Sequence, residues 1–237
     1  MERKWWTLLA SCTAIFMLLL DVTIVNVALP SIERELGADF SDLQWVIDAY
    51  ALTLAGFVLA AGSLGDMVGR RLVFMLGLAV FTASSLACGL ALDPLFLNVS
   101  RAAQGIGAAM MFGTSLALIA QEFQGRERGT ALGIWGATTA AAGSIGPLVS
   151  GALVDALSWR WIFLVNVPIG LAALVVARHR LRESRDPAAA GTGFNTIALV
   201  SVAVAAVGSV AGYALVRSRD FVAGGGPAPA PAEPARA

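Results

Sequence analysis

An all-α, polytopic transmembrane helix bundle is the fold class this sequence predicts, on three observations. The 237 residues are 57% hydrophobic and only 14% charged, with a mean hydropathy of +0.76. A soluble domain of that length needs far more polar residues to cover its surface. Apolar runs of about 20 residues recur, the length that crosses a bilayer as a helix. The alternation of a membrane β-barrel is absent, and in lipid every backbone polar group of such a run must be paired within a helix.

About seven runs qualify, at roughly 6–29, 43–63, 72–91, 95–119, 130–156, 161–179 and 194–216. No cleaved signal peptide is expected, because the first run is too long and no small-x-small site follows it. Net charge is zero, so nothing points to nucleic acid. No nucleophile–base pair or metal-ligand cluster stands out, and no G-x-x-x-x-G-K-[ST] loop occurs, so neither an enzyme nor a pump driven directly by ATP is expected. No cofactor or metal is called for. Cys12 and Cys88 fall at opposite ends of their spans and read as small packing residues.

Span 1 carries Leu20-Asp-Val-Thr-Ile-Val-Asn-Val-Ala-Leu-Pro30. With Pro30 as the outer edge, Asp21 lies roughly 13 Å below it, at about 1.5 Å per residue. A carboxylate at that depth is costly and faces the bundle interior or a wet cavity. Span 2 carries Trp45-Val-Ile-Asp-Ala-Tyr50, whose Asp48 is expected to be shallower. Between spans 2 and 3 runs Gly62-Ser-Leu-Gly-Asp-Met-Val-Gly-Arg-Arg71. Gly62, Gly65 and Gly69 suit a sharp reversal. Asp66 suits a helix cap or an i,i+4 pair with Arg70. Arg70 and Arg71 suit a cytoplasmic anchor, and a purely topogenic turn would explain them equally well.

Span 4 carries Asn98-Val-Ser-Arg-Ala-Ala-Gln-Gly-Ile-Gly107. Arg101 lies roughly 10 Å below Pro94, a depth similar to that of Asp21. Gln104 is one turn away on the same face. Opposite charges at one depth stabilise each other, and protonating Asp21 would weaken the pair. That is either a proton switch or a static buried ion pair. Span 5 carries Gly143, Gly146, Pro147 and Gly151. Pro147 should bend the helix. Thr138, Ala142, Gly146 and Ser150 form a small-residue stripe that lets another helix approach.

Charge orients the chain. Arg3, Lys4, Arg70, Arg71, Arg126, Arg128, Arg178, Arg180, Arg182 and Arg185 flank one side of the first six spans, against Arg34 and Arg160 on the other. The positive-inside rule puts the N-terminus and the larger set in the cytoplasm. Trp5, Trp6, Trp159 and Trp161 fall where interfacial rings are expected.

The motifs together resemble the fourteen-span, drug:proton antiporter branch of the major facilitator superfamily, over about residues 5–187. The 62–71 turn resembles that superfamily's G-x-L-x-D-x-x-G-R-R/K signature. Span 1 is similar to the branch motif L-D-x-T-I-V-N-V-A-L-P, and Trp45 to Tyr50 resembles its W-V-x-x-A-Y segment. Arg101, Gln104 and Gly105 match R-x-x-Q-G. Gly143, Gly146, Pro147 and Gly151 match the antiporter motif, with Ser150 where the family usually has glycine. Trp159-Arg-Trp-Ile-Phe163 and Asn166-Val-Pro-Ile-Gly170 match the entry to span 6. The resemblance implies a multi-pass cell-membrane protein that expels a small amphiphilic compound while protons enter. Asp21, Arg101 and Gln104 would carry proton coupling. The turn at Gly62, Gly65, Asp66, Gly69, Arg70 and Arg71 would latch a cytoplasmic gate, and the span 5 kink would limit leakage.

The same resemblance implies four regions: a six-span bundle (1–183), a cytoplasmic linker or deletion junction (184–193), a seventh span (194–216) and a disordered Pro/Ala-rich tail (217–237). The seventh run resembles the family's last span and not its seventh. Arginines flank it on both sides, so its orientation is frustrated. The expectation is an incomplete transporter, active only if self-association or a partner half completes the cavity. The alternative is a non-transporting membrane fragment, inert or interfering with an intact relative.

Overall fold

The computed structural model describes residues 2–185 and residue 203. The linker beyond residue 185, the seventh run and the tail lie outside this range apart from that one position. Within it the fold is helical: α1 (Arg3–Leu36), α2 (Phe40–Val68), α3 (Arg70–Gly89), α4 (Pro94–Glu122), α5 (Gly125–Ala156), α6 (Trp161–Leu164) and α7 (Asn166–Arg180). The last two join as one apolar stretch, so six segments are long and apolar enough to cross a membrane.

Local chemistry sets the helix ends. Gly37 takes a left-handed φ of 62° and stops α1. Asp39 and Asp42 form a capping box at the start of α2, with bonds of 2.7 and 3.2 Å. The Asp93 carboxylate accepts from Phe96 N at 2.8 Å, with Pro94 in the first helical turn of α4.

One expected boundary moves. α1 continues through Pro30 to Leu36, so Pro30 does not end the helix. Burial of Ile32 and Ala28 holds the last turns in place, and Arg34 Nε donates to the Pro30 carbonyl at 3.1 Å. Packing outweighs the lost backbone donor here. Trp159 also departs from its interfacial expectation. It is buried and donates from Nε1 to Glu35 at 2.7 Å, whereas Trp161 is exposed.

α4 is the hub, packed along α2 and α3, while α5 packs along α1. The α3–α4 seam is close because glycines face across it. A Cβ on Gly107 would come within 2.6 Å of Phe81 N and 2.8 Å of the Gly77 carbonyl. We predict that Gly107→Ala lowers stability by about 1–3 kcal/mol through overpacking, measured by thermal unfolding in detergent. The most apolar windows of α2 and α5 are each only 17% buried, against 67% for α1. These two helices therefore present the bundle's most open faces.

Two larger apolar clusters, with a smaller one around Leu8, Ile119 and Phe123, fill the interior. One includes Leu18, Tyr50, Phe74, Phe81 and Met111. The other includes Leu20, Ile24, Val46, Cys88 and Phe163. The basic flanks gather at one end of the bundle. Lys4 pairs with Glu127 at 2.9 Å, Arg3 with Glu122 at 3.8 Å, and Arg180 lies over the Trp6 ring at 5.3 Å.

Candidate functional site

Where the two larger apolar clusters meet, four helices contribute polar groups to one buried network. Asp21 comes from α1, Arg101 and Gln104 from α4, Ser85 and Cys88 from α3, and the Val46 carbonyl from α2. The side chains are buried; Asp21 and Arg101 are each 1% exposed. Arg101 Nη1 donates to Asp21 Oδ2 in a direct ion pair. It also donates to Gln104 Oε1 at 2.7 Å, and Arg101 Nε donates to the Val46 carbonyl at 2.8 Å. The guanidinium stacks over the Tyr50 ring at 4.2 Å, a cation–π contact that is strong when desolvated. Tyr50 is itself fixed by donating its hydroxyl to the Leu18 carbonyl at 3.1 Å.

Gln104 is the organiser. Its amide nitrogen donates to Asp21 Oδ1 at 2.9 Å and to Ser85 Oγ at 2.8 Å. Its oxygen accepts from Arg101 and from Cys88 Sγ, the latter at 3.7 Å. Both donors and both lone pairs are used. The Ser85 hydroxyl in turn donates a hydrogen bond to the Phe81 carbonyl at 2.8 Å. A network satisfied to this degree is rigid, and any change of charge within it is costly. Gly105 lets α2 lie close enough to take part, because a Cβ there would collide with Thr53 Oγ1 and the Tyr50 carbonyl.

Asp21 and Arg101, singled out as charges at matched depth, and Gln104, one turn from Arg101, therefore come together. Asp48 does not join them, and it is not as shallow as expected. It lies two residues along α2 from Val46, whose carbonyl binds Arg101, so it is level with the network. Ser85, Cys88 and the Val46 carbonyl were missed. Beside the network, a cavity of about 200 Å³ opens between α1 and α2. It is lined by Val22, Val25, Ile47, Tyr50, Leu54 and Arg101 among others, and its walls are largely apolar.

The 62–71 turn is built differently from the expectation. Gly62 and Gly65 lie inside α2, not at the reversal. They let α4 approach, and a Cβ on Gly65 would stand 2.8 Å from Thr114 Cγ2. Gly69 alone makes the reversal, with φ 130°, a conformation that L side chains rarely adopt. Asp66 is a pair and not a cap: it accepts from Arg70 Nε at 2.7 Å. Arg71 Nη2 donates to the Arg178 carbonyl at 2.6 Å.

On α5, the residues of the Gly143–Gly151 motif divide between two faces. Gly146 abuts Thr23, and Ser150 Oγ donates to the Ile24 carbonyl at 2.6 Å. The serine that stands where the family usually has glycine thus adds a bond across the α1–α5 seam. The helix is continuous through Pro147. Gly143 and Gly151 face away, with nothing described within 4 Å of a Cβ.

The Major Facilitator Superfamily model matches residues 11–223. The multidrug resistance protein Stp of Mycobacterium tuberculosis (strain ATCC 25618 / H37Rv) is 41% identical over 202 residues, covering 85% of this chain and 38% of that protein. The puromycin resistance protein pur8 of Streptomyces alboniger is 41% identical, covering 77% and 37%. The tetracenomycin C resistance and export protein of Streptomyces glaucescens is 39% identical, covering 77% and 34%. This chain thus spans about a third of the length of these relatives. In fold, it is similar to a bacterial homologue of the human lysosomal transporter Spinster, in an inward-facing and unoccupied conformation. That match has a TM-score of 0.60 at 22% identity, over 75% of this chain and 42% of the other. With a family model matched over most of its length and a six-span helical bundle, this multi-pass membrane chain belongs to the Major Facilitator Superfamily.

Proposed function

We propose that this chain supplies the proton-coupling bundle of an efflux antiporter for small amphiphilic compounds, of the fourteen-span drug:proton type. The observation that carries the reading is the buried Asp21–Arg101–Gln104 network. A carboxylate and a guanidinium buried together balance each other only while both are charged. Protonating Asp21 removes the anion and leaves Arg101 as a desolvated cation held by neutral groups. The pair then loses its hold between α1 and α4, which favours a conformation that rehydrates Arg101. Release of the proton restores the pair. Coupling follows if amphiphile entry into the apolar cavity beside Tyr50 and Arg101 favours one of these two states.

In this reading the basic end is cytoplasmic, and the Asp66–Arg70 turn latches the gate there. Gly146 and Ser150 hold the α1–α5 seam against leakage. Further helices, from a second copy or a partner half, cover the open faces of α2 and α5 and complete the cavity. The resistance names of the relatives support the substrate class.

The test is reconstitution of the full chain in proteoliposomes loaded with a fluorescent cationic amphiphile. An imposed pH gradient should drive its movement, and a protonophore should abolish it. No gradient-driven movement at any protein density, with the bundle folded, would instead make the chain a non-transporting membrane fragment.

A further inference from the structure

We propose that Glu183 and Arg71 form a reciprocal helix cap that joins the exit of α7 to the 62–71 turn, so that the two ends order and open as one unit. α3 begins at Arg70 with no side-chain cap from its N-cap residue, Gly69. Its first backbone donors would be orphaned. They are satisfied instead from the segment that leaves α7. Arg70 N donates to the Ser184 carbonyl at 3.0 Å, and Arg71 N donates to Glu183 Oε1 at 3.1 Å.

The debt runs both ways. α7 ends at Arg180, and its last carbonyls lack partners within the helix. Arg71 Nη2 meets one of them, the Arg178 carbonyl, at 2.6 Å. A carboxylate thus sits at the N-terminus of α3 and a guanidinium at the C-terminus of α7. Both signs suit the helix dipoles.

Gly69 is what makes room. A Cβ at that position would overlap the Glu183 carboxylate. The residue that reverses the chain therefore also admits the cap, which gives the glycine a second reason to be there. Asp66 lies in the preceding turn but is occupied by Arg70, so it does not compete for the α3 N-terminus. Arg178, beside Glu183 in the same groove, adds positive charge that favours the carboxylate's position. The cap is independent of whether the chain transports anything.

Hydrogen exchange on the full chain in lipid nanodiscs tests it. Glu183→Ala should speed exchange of the 70–72 amides about fivefold, the typical worth of a lost cap. It should also speed exchange at the C-terminal turn of α7. Arg71→Ala should do the same at both places, and the double variant should be no faster than either single. Glu183→Gln keeps an acceptor oxygen and should restore most of the protection. Gly69→Ala should mimic Glu183→Ala although the glutamate is still present. Effects confined to one helix, or additive in the double variant, would overturn the coupling. So would unchanged exchange in Glu183→Ala, or a uniform rise that extends to α1 and α5.

Discussion

Arg101→Ala should cost this bundle about 3–5 kcal/mol, the loss typical when one partner of a buried pair is removed. The substitution strands Asp21 with only Gln104 as donor and leaves one lone pair each of the Val46 carbonyl and of Gln104 Oε1 unfilled. It also removes the cation from the Tyr50 ring. The measurement is unfolding in detergent, by denaturant or heat. Adding Asp21→Asn to Arg101→Ala should recover part of the loss, because the unpaired charge is then gone. A single variant as stable as the parent chain would mean the pair is already solvated.

Asp21→Asn alone should behave differently. An asparagine offers one acceptor oxygen, enough for Arg101 or for the Gln104 amide but not for both in place. Arg101 keeps its bonds to Gln104 and the Val46 carbonyl, so the fold should survive with a smaller loss than in Arg101→Ala. Movement of an amphiphile driven by a pH gradient should fall to the level of empty vesicles, because an amide neither gains nor releases the proton. Binding of the amphiphile should persist, since the cavity lining at Val22, Val25, Ile47 and Leu54 is untouched. Gradient-driven movement at the parent rate would remove Asp21 as the proton carrier.

The two variants also mark what was legible in the sequence. Six spans could be read from apolar runs, Asp21 and Arg101 from their cost and matched depth, and Gln104 from its place one turn from Arg101. Ionisable residues inside such runs stand out because the bilayer makes them expensive. Their partners do not stand out. Ser85 and Cys88 are small residues of a kind common in membrane helices, and the Val46 acceptor is a backbone carbonyl with no side-chain signature. Glu183 reads as one more charge in a basic flank. Its role depends on meeting Arg71, 112 positions away in sequence.

Boundaries were harder for the same physical reason. Pro30 signals an end locally, yet the burial of Ile32 and Ala28 carries α1 past it. Gly62 and Gly65 read as turn residues, yet they are small surfaces for α4 to approach. Glycine serves both purposes, and only packing distinguishes them. Trp159 carries an interfacial signature, but Glu35 satisfies its indole and the ring is drawn inside.

Proton release on substrate binding tests the central claim most directly. The full chain in weakly buffered detergent, with a pH indicator, is mixed with the cationic amphiphile. If Asp21 exchanges its proton for substrate, the parent chain releases protons on binding near the pH at which the site is half-protonated. Asp21→Asn should bind the amphiphile and release none. Equal proton release from Asp21→Asn and the parent chain would contradict the account.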